Sequence, residues 1–362
     1  MAEKRKDSKG RVLRKGEHER KDGRYHYLYL DASGKRCYVY AKDLISLREM
    51  EKEIERDLLD GISNASGKTT LNQLFKMHME LKNDLRATTR EDYNRMWRNT
   101  VETSAIGGKK ISEIKQVHVK AFYADCVRAG LKRNTIKLIH NLIFSSFELA
   151  VDSDFIRKNP AKGAMEGIRQ DALKKIPLSG NEIKKLMDFC IDSSTYSIHV
   201  PFLIIAIGTC LRCGELTGLT WSDIDMKNRT ISINHQLIYK NLGDGCKFHI
   251  NKPKTDAGER ILPMTESVYK GFMELKKQNL ALGRRSNVEV DGYSNFVFIS
   301  SNGRPLTMSM VDAFLLNIEK AYNKAHPEEV IPHLSAHILR HTGCTLLASA
   351  GMDIKALQNV MG

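Results

Sequence analysis

Two stretches with the composition of linkers constrain the fold most, because they break the chain into separate segments. ISNASGKTT (residues 62–70) is rich in small and polar residues, and KGAMEGIRQDALKKIP (residues 162–177) is rich in charge. A chain of 362 residues also exceeds the roughly 250–300 residues at which a single hydrophobic core stops growing. We therefore predict three domains, at residues 1–61, 62–172 and 173–362.

The first segment has the pattern of a β-hairpin followed by a helix. GRYHYLYLDASGKRCYVYA (residues 23–41) alternates around the turn residues Asp31, Ser33 and Gly34. The next stretch, DLISLREMEKEIERDLLDG, spaces its leucines and isoleucines as a helix does and ends at Gly61. The sequence predicts a small sheet backed by one helix.

The other two segments are mainly helical. Apolar stripes predict four helices in the middle segment, over residues 70–84, 88–104, 115–129 and 132–153. In the last segment we predict helices over 265–282, 308–325 and 335–361, with short strands in TISINHQLIY, FHINKP, ERILPM and FVFIS. The predicted fold class is multidomain α+β: a small β-sheet-plus-helix N-terminal domain, a four-helix domain and a mainly α domain with a small antiparallel sheet.

The positive charge is concentrated in two segments. The net charge is +14; residues 1–42 hold 13 Lys and Arg against 6 Asp and Glu, and residues 61–175 hold 21 against 12. The predicted helix at 43–60 has 3 basic and 7 acidic residues, so the basic surface of the first domain lies on its sheet. Two basic surfaces favour a polyanion, DNA or RNA, and a sheet that reads a DNA groove fits the first. An excess of lysine also occurs for solubility alone.

Basic residues in these two segments are candidates for contacts to DNA phosphates. In the first domain they are Arg11, Arg14, Lys21, Arg24, Lys35 and Arg36, and at the start of the fourth middle helix they are Lys132, Arg133 and Lys137.

Several classes of function are disfavoured by the sequence. No apolar run approaches eighteen residues, and the N-terminus MAEKRKDSKGR lacks the apolar segment of a secretory signal. Cys210 and Cys213 have no second pair that would complete a zinc site, so we interpret them as core thiols within an apolar helical run. We expect a cytoplasmic protein with no membrane partner, no metal and no cofactor.

Three separated segments of the last domain carry residues suited to binding an anion. Arg212 and Glu215 lie in TCLRCGELTGLTWSDID, Lys254 lies in PKTDAGERILP, and His337 and Arg340 share one face of a predicted helix in AHILRHTGCTLL. Taken singly, the first pair also fits an ion pair on a helix surface, and the lysine fits a solvated turn. Two basic groups on one apolar helix are harder to explain structurally, because unpaired charge is costly in a core.

Together, these segments resemble the tyrosine recombinase (lambda-type integrase) family. TCLRCGELTGLTWSDID matches the first box of the family, PKTDAGERILP its β-hairpin lysine and HILRHTGCTLLASAGMDIKALQNVMG its second box, in the same order and spacing. With GRVLRKGEHERKDGRYHYLY in a basic first domain, the layout is most similar to integrases of conjugative transposons. The resemblance implies that residues 1–61 bind arm-type DNA sites, 62–172 clamp the core site and 173–362 catalyse recombination.

The resemblance also implies the role of each site residue. Arg212 and Arg340 match the two arginines that hold the scissile phosphate, for which a guanidinium fork is well suited. Lys254 matches the general acid that protonates the departing 5′ oxygen, and His337 matches the position that assists proton transfer. Glu215 is expected to support the site through hydrogen bonds.

The partners expected from the resemblance are double-stranded DNA, at core and arm sites, and further copies of the chain. The family assembles on DNA as dimers and tetramers and exchanges strands through a Holliday junction. An accessory excision factor is a further candidate partner. His341, next to the matched Arg340, is assigned a supporting and mainly structural role.

The nucleophile of the family is a tyrosine that forms a 3′-phosphotyrosyl link, which stores the energy for ligation without metal or ATP. It follows the second box, at a position beyond Gly362, whereas the last tyrosine here, Tyr322, precedes that box. We therefore expect this 362-residue chain, as a C-terminally truncated form, to bind DNA without cleaving it. A non-catalytic DNA-binding relative that occupies recombination sites, and a type IB topoisomerase with the same chemistry, are the alternatives.

Overall fold

The computed structural model describes residues 5–31, 34–59, 68–168, 176–253 and 258–362. The chain forms two compact units, Met1–Ala172 and Leu173–Gly362. The finer division of residues 1–172 into two domains stays a prediction.

The N-terminal part of the first unit is a three-stranded antiparallel sheet with one helix. The elements are β1 (Glu17–Glu19), β2 (Tyr25–Leu30), β3 (Arg36–Ala41) and α1 (Leu44–Leu59). Residues opposite each other on one face, such as Tyr25 and Ala41, are buried against Leu44 and Leu47 of α1. The predicted hairpin and helix are therefore confirmed, although Ser33 lies outside the described residues, and β1 was not predicted.

A buried pair of carboxyl groups joins this sheet to α1. Arg48 of α1 holds the Glu17 carboxylate by hydrogen bonds of 2.8 and 3.1 Å, and the backbone N–H of Arg14 adds a third, of 2.6 Å. Glu51, one turn further along α1, is 3% exposed, and its Oε1 atom has no hydrogen-bond partner. Its Oε2 atom lies 3.7 Å from the Arg14 guanidinium. Arg48 thus binds Glu17, and the more distant charge of Arg14 offsets only part of the energetic cost of burying Glu51.

Four helices form the rest of the first unit, and each overlaps its predicted range. They are α2 (Leu71–Leu81), α3 (Ala87–Thr100), α4 (Gln116–Arg128) and α5 (Arg133–Asp152). Their shared core includes a parallel stack of Phe75 on Trp97, with ring centroids 3.9 Å apart. The predicted linker at 162–177 is wrong in its first part, because Ala164 is buried in this core and Ile168 packs against it. Residues 169–175 lie outside the described residues.

The second unit is mainly helical and contains a small antiparallel sheet and a β-hairpin. Its helices are α6 (Gly180–Asp192), α7 (Val200–Thr209), α8 (Cys213–Gly218), α9 (Glu266–Ala281), α10 (Met308–Ala325), α11 (Ala336–Ser349) and α12 (Ile354–Met361). Strands β4 (Ile224–Asp225), β5 (Thr230–Ile233) and β8 (Arg260–Pro263) form the sheet, and β6 (Gln236–Asn241) and β7 (Cys246–Asn251) form the hairpin. The α+β fold class is as predicted.

Three predictions of local structure in the second unit were wrong. The run through Cys210 is not one helix, because α7 ends before it and α8 begins at Cys213. The helix predicted over 335–361 is two helices, separated by a turn in which Gly351 has a φ of +85°. FVFIS makes only isolated bridges, one of them between Phe296 and Thr220. Across the described ranges, every helix is too short or too polar to span a bilayer.

Candidate catalytic site

The turn between α7 and α8 positions the first predicted site residue, Arg212. Cys210 closes α7 in the left-handed conformation, with a φ of +53° and a ψ of +25°, which non-glycine residues seldom adopt. This conformation turns the Cys210 carbonyl toward α11, where it accepts a 2.8 Å hydrogen bond from Nη1 of Arg340. The same turn places Arg212 directly before α8. One strained residue therefore links the two predicted phosphate-binding arginines.

Glu215 lies at the centre of three arginines that come from different elements. Its Oε1 atom accepts from Nη1 of Arg212 at 2.8 Å, and its Oε2 atom accepts from Nη2 of Arg260, at the start of β8, at 2.9 Å. Nη1 of Arg340 lies 3.9 Å from the same Oε2 atom. The Glu215 side chain is 4% exposed, and those of Arg260 and Arg340 are each 7% exposed. A single buried carboxylate thus accepts hydrogen bonds from two guanidinium groups and lies within ion-pair distance of a third.

The charges in this cluster leave an excess of positive charge. Burial raises the pKa of Glu215, but the hydrogen bonds and charges of Arg260 and Arg212 outweigh it and hold that pKa below its ordinary value. Burial, and then the like charge of Arg212, lower the pKa of Arg340. Three guanidinium groups around one carboxylate carry a formal surplus of two positive charges, which an anionic ligand would neutralise. Arg212 is the most accessible of the three, with 48% of its side chain exposed.

Carbonyl groups at the end of α12, and that of Gly362 directly after it, accept hydrogen bonds from these arginines and orient them. Nε of Arg260 donates to the carbonyl of Val360 at 3.0 Å, Nη2 of Arg340 to that of Met361 at 2.7 Å and Nη2 of Arg212 to that of Gly362 at 2.8 Å. The final carbonyls of a helix have no partner within it, and they carry its partial negative charge.

Glycine at position 343 lets α11 approach α7 closely enough for these contacts. A Cβ atom at Gly343 would collide with the carbonyl oxygen of Ile207 and lie 2.7 Å from Sγ of Cys210. Because Arg340 lies one turn earlier on α11, the position of its guanidinium depends on this close approach.

His337 and His341 lie together on the exposed side of α11. Their Nε2 atoms are 2.8 Å apart, and the two rings are nearly perpendicular, with centroids 4.2 Å apart. This hydrogen bond requires one ring to donate and the other to accept. The structure therefore pairs His341 with His337, which supports the orientation of the latter.

Among the predicted site residues, Arg212, Glu215 and Arg340 are brought together, while Lys254 lies outside the described residues. Arg260 was missed by the sequence analysis. The available signal was strand alternation, because Arg260 is in phase with buried Leu262, and Ile261 between them is exposed. In the described part of the chain, His, Cys, Asp and Glu form no group of three or more that could hold a metal ion.

Tyr322 has no access to this site. Its side chain is 1% exposed, and its ring packs against Phe189 and His326, with centroids 5.4 and 4.5 Å away. The interpretation that Tyr322 does not replace the nucleophile agrees with this burial.

The predicted DNA-contacting residues differ in their surroundings. Arg11 is bound by the Asp7 carboxylate at 2.8 Å and by the Tyr25 hydroxyl at 2.9 Å, which gives it a structural role. Arg133 donates to the carbonyl of Ile168 at 3.0 Å. The remaining candidates, Arg14, Lys21, Arg24, Lys35, Arg36, Lys132 and Lys137, are exposed or partly exposed.

The outer face of the N-terminal sheet combines aromatic and basic side chains. Tyr38 and Tyr40 are about half exposed there, and the guanidinium of Arg20 lies 5.3 Å from the Tyr40 ring centroid. His18 stacks on His26 with ring centroids 4.9 Å apart. Aromatic and basic side chains thus share the face of the sheet that α1 does not cover.

Sequence models of two known protein families match the N-terminal and C-terminal parts of the chain. The sequence model of the phage integrase family matches residues 177–362, and that of the DNA binding domain of Tn916 integrase matches residues 1–58. The transposase from transposon Tn916 of Enterococcus faecalis is 35% identical over 100% of this chain and 91% of its own length.

Two solved structures resemble the fold. A single-substitution variant of the Tn1549 transposon integrase (aa 82-397), solved in complex with a circular intermediate DNA, is 32% identical, with a TM-score of 0.73 over 81% of this chain and 91% of that one. A lambda integrase tetramer bound to a Holliday junction has a TM-score of 0.55 at 16% identity, over 97% of this chain and 96% of that one, and shares the fold. The chain therefore belongs to the phage integrase family, and it is a tyrosine recombinase of the transposon-integrase type.

Proposed function

We propose that this protein is a site-specific DNA recombinase, an integrase of a mobile genetic element, which cuts and rejoins DNA for integration and excision. The observation that carries the proposal is the convergence of Arg212 and Arg340 on the buried carboxylate of Glu215. Their surplus positive charge suits a DNA phosphate. The names of the similar transposase and integrase support the same activity.

In the proposed reaction the arginines act on the scissile phosphate. Arg212 and Arg340 neutralise its non-bridging oxygens as negative charge grows on them in the transition state. His337, one turn before Arg340 on α11, lies on the same helix face and donates a hydrogen bond to the phosphate. A tyrosine hydroxyl attacks the phosphorus to form the 3′-phosphotyrosyl link, at a family position that lies beyond Gly362. As the bond to the 5′ oxygen breaks, Lys254 protonates that oxygen, a role that rests on its match to the family motif.

We propose the domain roles as follows: residues 1–61 bind arm-type sites, 62–172 the core site, and 173–362 carry out the chemistry. The aromatic and basic face of the N-terminal sheet supports the first role, because a sheet of this size fits the major groove. Double-stranded DNA is then the main partner, in the cytoplasm, and further copies of the chain join as dimers and tetramers. An accessory excision factor would act on this assembly.

The experiment begins with a duplex selected from a randomised DNA library by the purified 362-residue chain. Arg212→Ala should weaken binding of that duplex about tenfold or more, because a charged hydrogen bond contributes about 1.5–3 kcal/mol. Arg229→Ala is the matched control, since Arg229 is also 48% exposed and also pairs with a glutamate, Glu266. Equal losses in the two variants would contradict the proposed site.

The chemical step is tested with a nicked form of the selected duplex. The 362-residue chain is incubated with it in EDTA, and the products are separated on a denaturing gel. We expect no covalent adduct with residues 1–362, because Tyr322 is buried and no tyrosine follows Arg340 within them. An adduct would contradict this expectation and would place a nucleophile elsewhere in these residues.

A further inference from the structure

We propose that His337 and His341 together form a two-ligand site for a divalent transition-metal ion, and that the bound ion inhibits the recombinase. The two residues are four apart on α11, and their Nε2 atoms face each other at 2.8 Å. Paired histidines at this helical spacing, on one helix face, are an established arrangement for chelating zinc in other proteins.

The observed spacing is close to the bite of a metal chelate. Zinc and similar ions bind imidazole nitrogen at about 2.0–2.1 Å, so two such bonds place their nitrogens about 3 Å apart at a right angle and about 3.4 Å apart in a tetrahedron. The Nε2 atoms therefore need to separate by only a few tenths of an ångström. The ring that now donates would shift its proton from Nε2 to Nδ1, so that both imidazoles bind the ion through Nε2 in their neutral form.

The surroundings determine the kind of ion and the strength of binding. His337 is exposed, so an ion can reach the pair from solvent. Because no third protein ligand joins the pair in the described residues, water completes the coordination and binding is reversible. Imidazole favours Ni²⁺, Cu²⁺ and Zn²⁺ over Mg²⁺ or Ca²⁺. The site is therefore distinct from a structural zinc centre.

The inhibitory effect rests on the proposed function. In that mechanism the His337 ring exchanges its Nε2 hydrogen bond to His341 for one to the scissile phosphate, and an ion that bridges the two Nε2 atoms prevents this exchange. The neighbouring Arg340 keeps its contacts to Cys210 and Met361, so the ion acts on the histidine pair and leaves the arginine cluster in place.

The first test measures metal binding without DNA. Ni²⁺ is titrated into the full chain by isothermal calorimetry, since thiolates compete less for Ni²⁺ than for Zn²⁺ and the chain has seven cysteines. We expect His337→Gln and His341→Gln each to weaken one site at least tenfold. His333→Gln is the control, because His333 is an exposed histidine paired with Glu319. Ni²⁺ binding that is unchanged in both variants would overturn the inference.

The second test measures the effect on DNA binding. Saturating Ni²⁺ should weaken binding of the selected duplex to the native chain at least threefold and leave the His341→Gln variant unchanged. If Ni²⁺ binds the histidine pair but DNA affinity does not change, the inhibitory role is wrong while the metal site stands. If Ni²⁺ does not bind the pair, the inference fails, and the proposed recombinase function is unaffected.

Discussion

Replacing Glu51 by Gln should stabilise the N-terminal sheet domain at mildly alkaline pH. Burial, and then the nearby Glu17 carboxylate, raise the pKa of Glu51 to about 7. Burial also acts to raise the pKa of Glu17, but the hydrogen bonds from Arg48 and from the backbone of Arg14, together with the charge of Arg48, outweigh it and hold that pKa below its ordinary value. The pair thus has its charge on Glu17 and its proton on Glu51. The Glu51→Gln variant keeps a neutral side chain at this position at every pH.

The magnitude follows from the difference between the folded and ordinary pKa of Glu51. A pKa of about 7 in place of 4.5 corresponds to about 3 kcal/mol. Because the folded pKa is raised, this contribution to stability is fully present below pH 4.5 and is lost as the pH rises through about 7. At pH 8 the Gln variant should therefore be about 3 kcal/mol more stable than the native protein, and the two should converge in acid.

Two measurements check this prediction. Hydrogen exchange of β1–β3 and α1, corrected for the intrinsic pH dependence of exchange, reports the local free energy of unfolding. Glu53→Gln is the control, because it makes the same charge change on the exposed side of α1 and should alter stability by less than about 0.5 kcal/mol. Carbon-13 NMR of the Glu51 carboxyl group reports its titration directly. A midpoint near 4.5, or a Gln variant less stable than the native protein at pH 8, would refute the reasoning.

Three further substitutions test the catalytic and DNA-binding surfaces. Glu215→Ala should destabilise the second unit by about 3–5 kcal/mol, because it leaves buried arginine charge uncompensated, and calorimetry of its unfolding would show this. An unchanged melting temperature would contradict it. Gly343→Ala should lower the free energy of unfolding by about 1–3 kcal/mol, because the added Cβ collides with the Ile207 carbonyl oxygen. The same collision should displace Arg340 and weaken DNA binding. A destabilised variant with full DNA affinity would contradict this second effect. Lys132→Ala should make the fall of log affinity with log salt concentration less steep, by about one unit of slope. An unchanged slope would show that Lys132 does not contact a DNA phosphate.

The parts of the structure that the sequence predicted are those with a local signal. The helices of the first unit follow from apolar periodicity. At the start of α2 the Thr70 hydroxyl accepts from the backbone N–H of Gln73, and the Thr70 N–H donates to the Gln73 side chain, which is a short-range pattern. Arg212, Glu215 and Arg340 were assigned to one site through the resemblance of three motifs to the tyrosine recombinase family, because local periodicity gives no reason to join them.

The missed features depend on contacts between distant residues. Cys210 breaks an apolar run that has a continuous helical signal, and its carbonyl is held by Arg340, 130 residues away. Arg260 is buried because Glu215 and the end of α12 accept its hydrogen bonds, and neither partner is adjacent in sequence. The break at Gly351 did have a local signal, a helix-ending glycine, which the longer apolar periodicity obscured.

The most direct test of the proposed site is a scan of the selected duplex with single uncharged methylphosphonate linkages, combined with Arg212→Ala and Arg340→Ala. A double-mutant cycle between each linkage and each arginine isolates their interaction from general loss of affinity. We predict that one linkage in each half-site couples to both arginines by about 1.5–3 kcal/mol, as expected for charged hydrogen bonds to one phosphate. If the losses of binding free energy from the linkage and from the arginine substitution are simply additive at every linkage, for both arginines, the central claim that this cluster holds the scissile phosphate is contradicted.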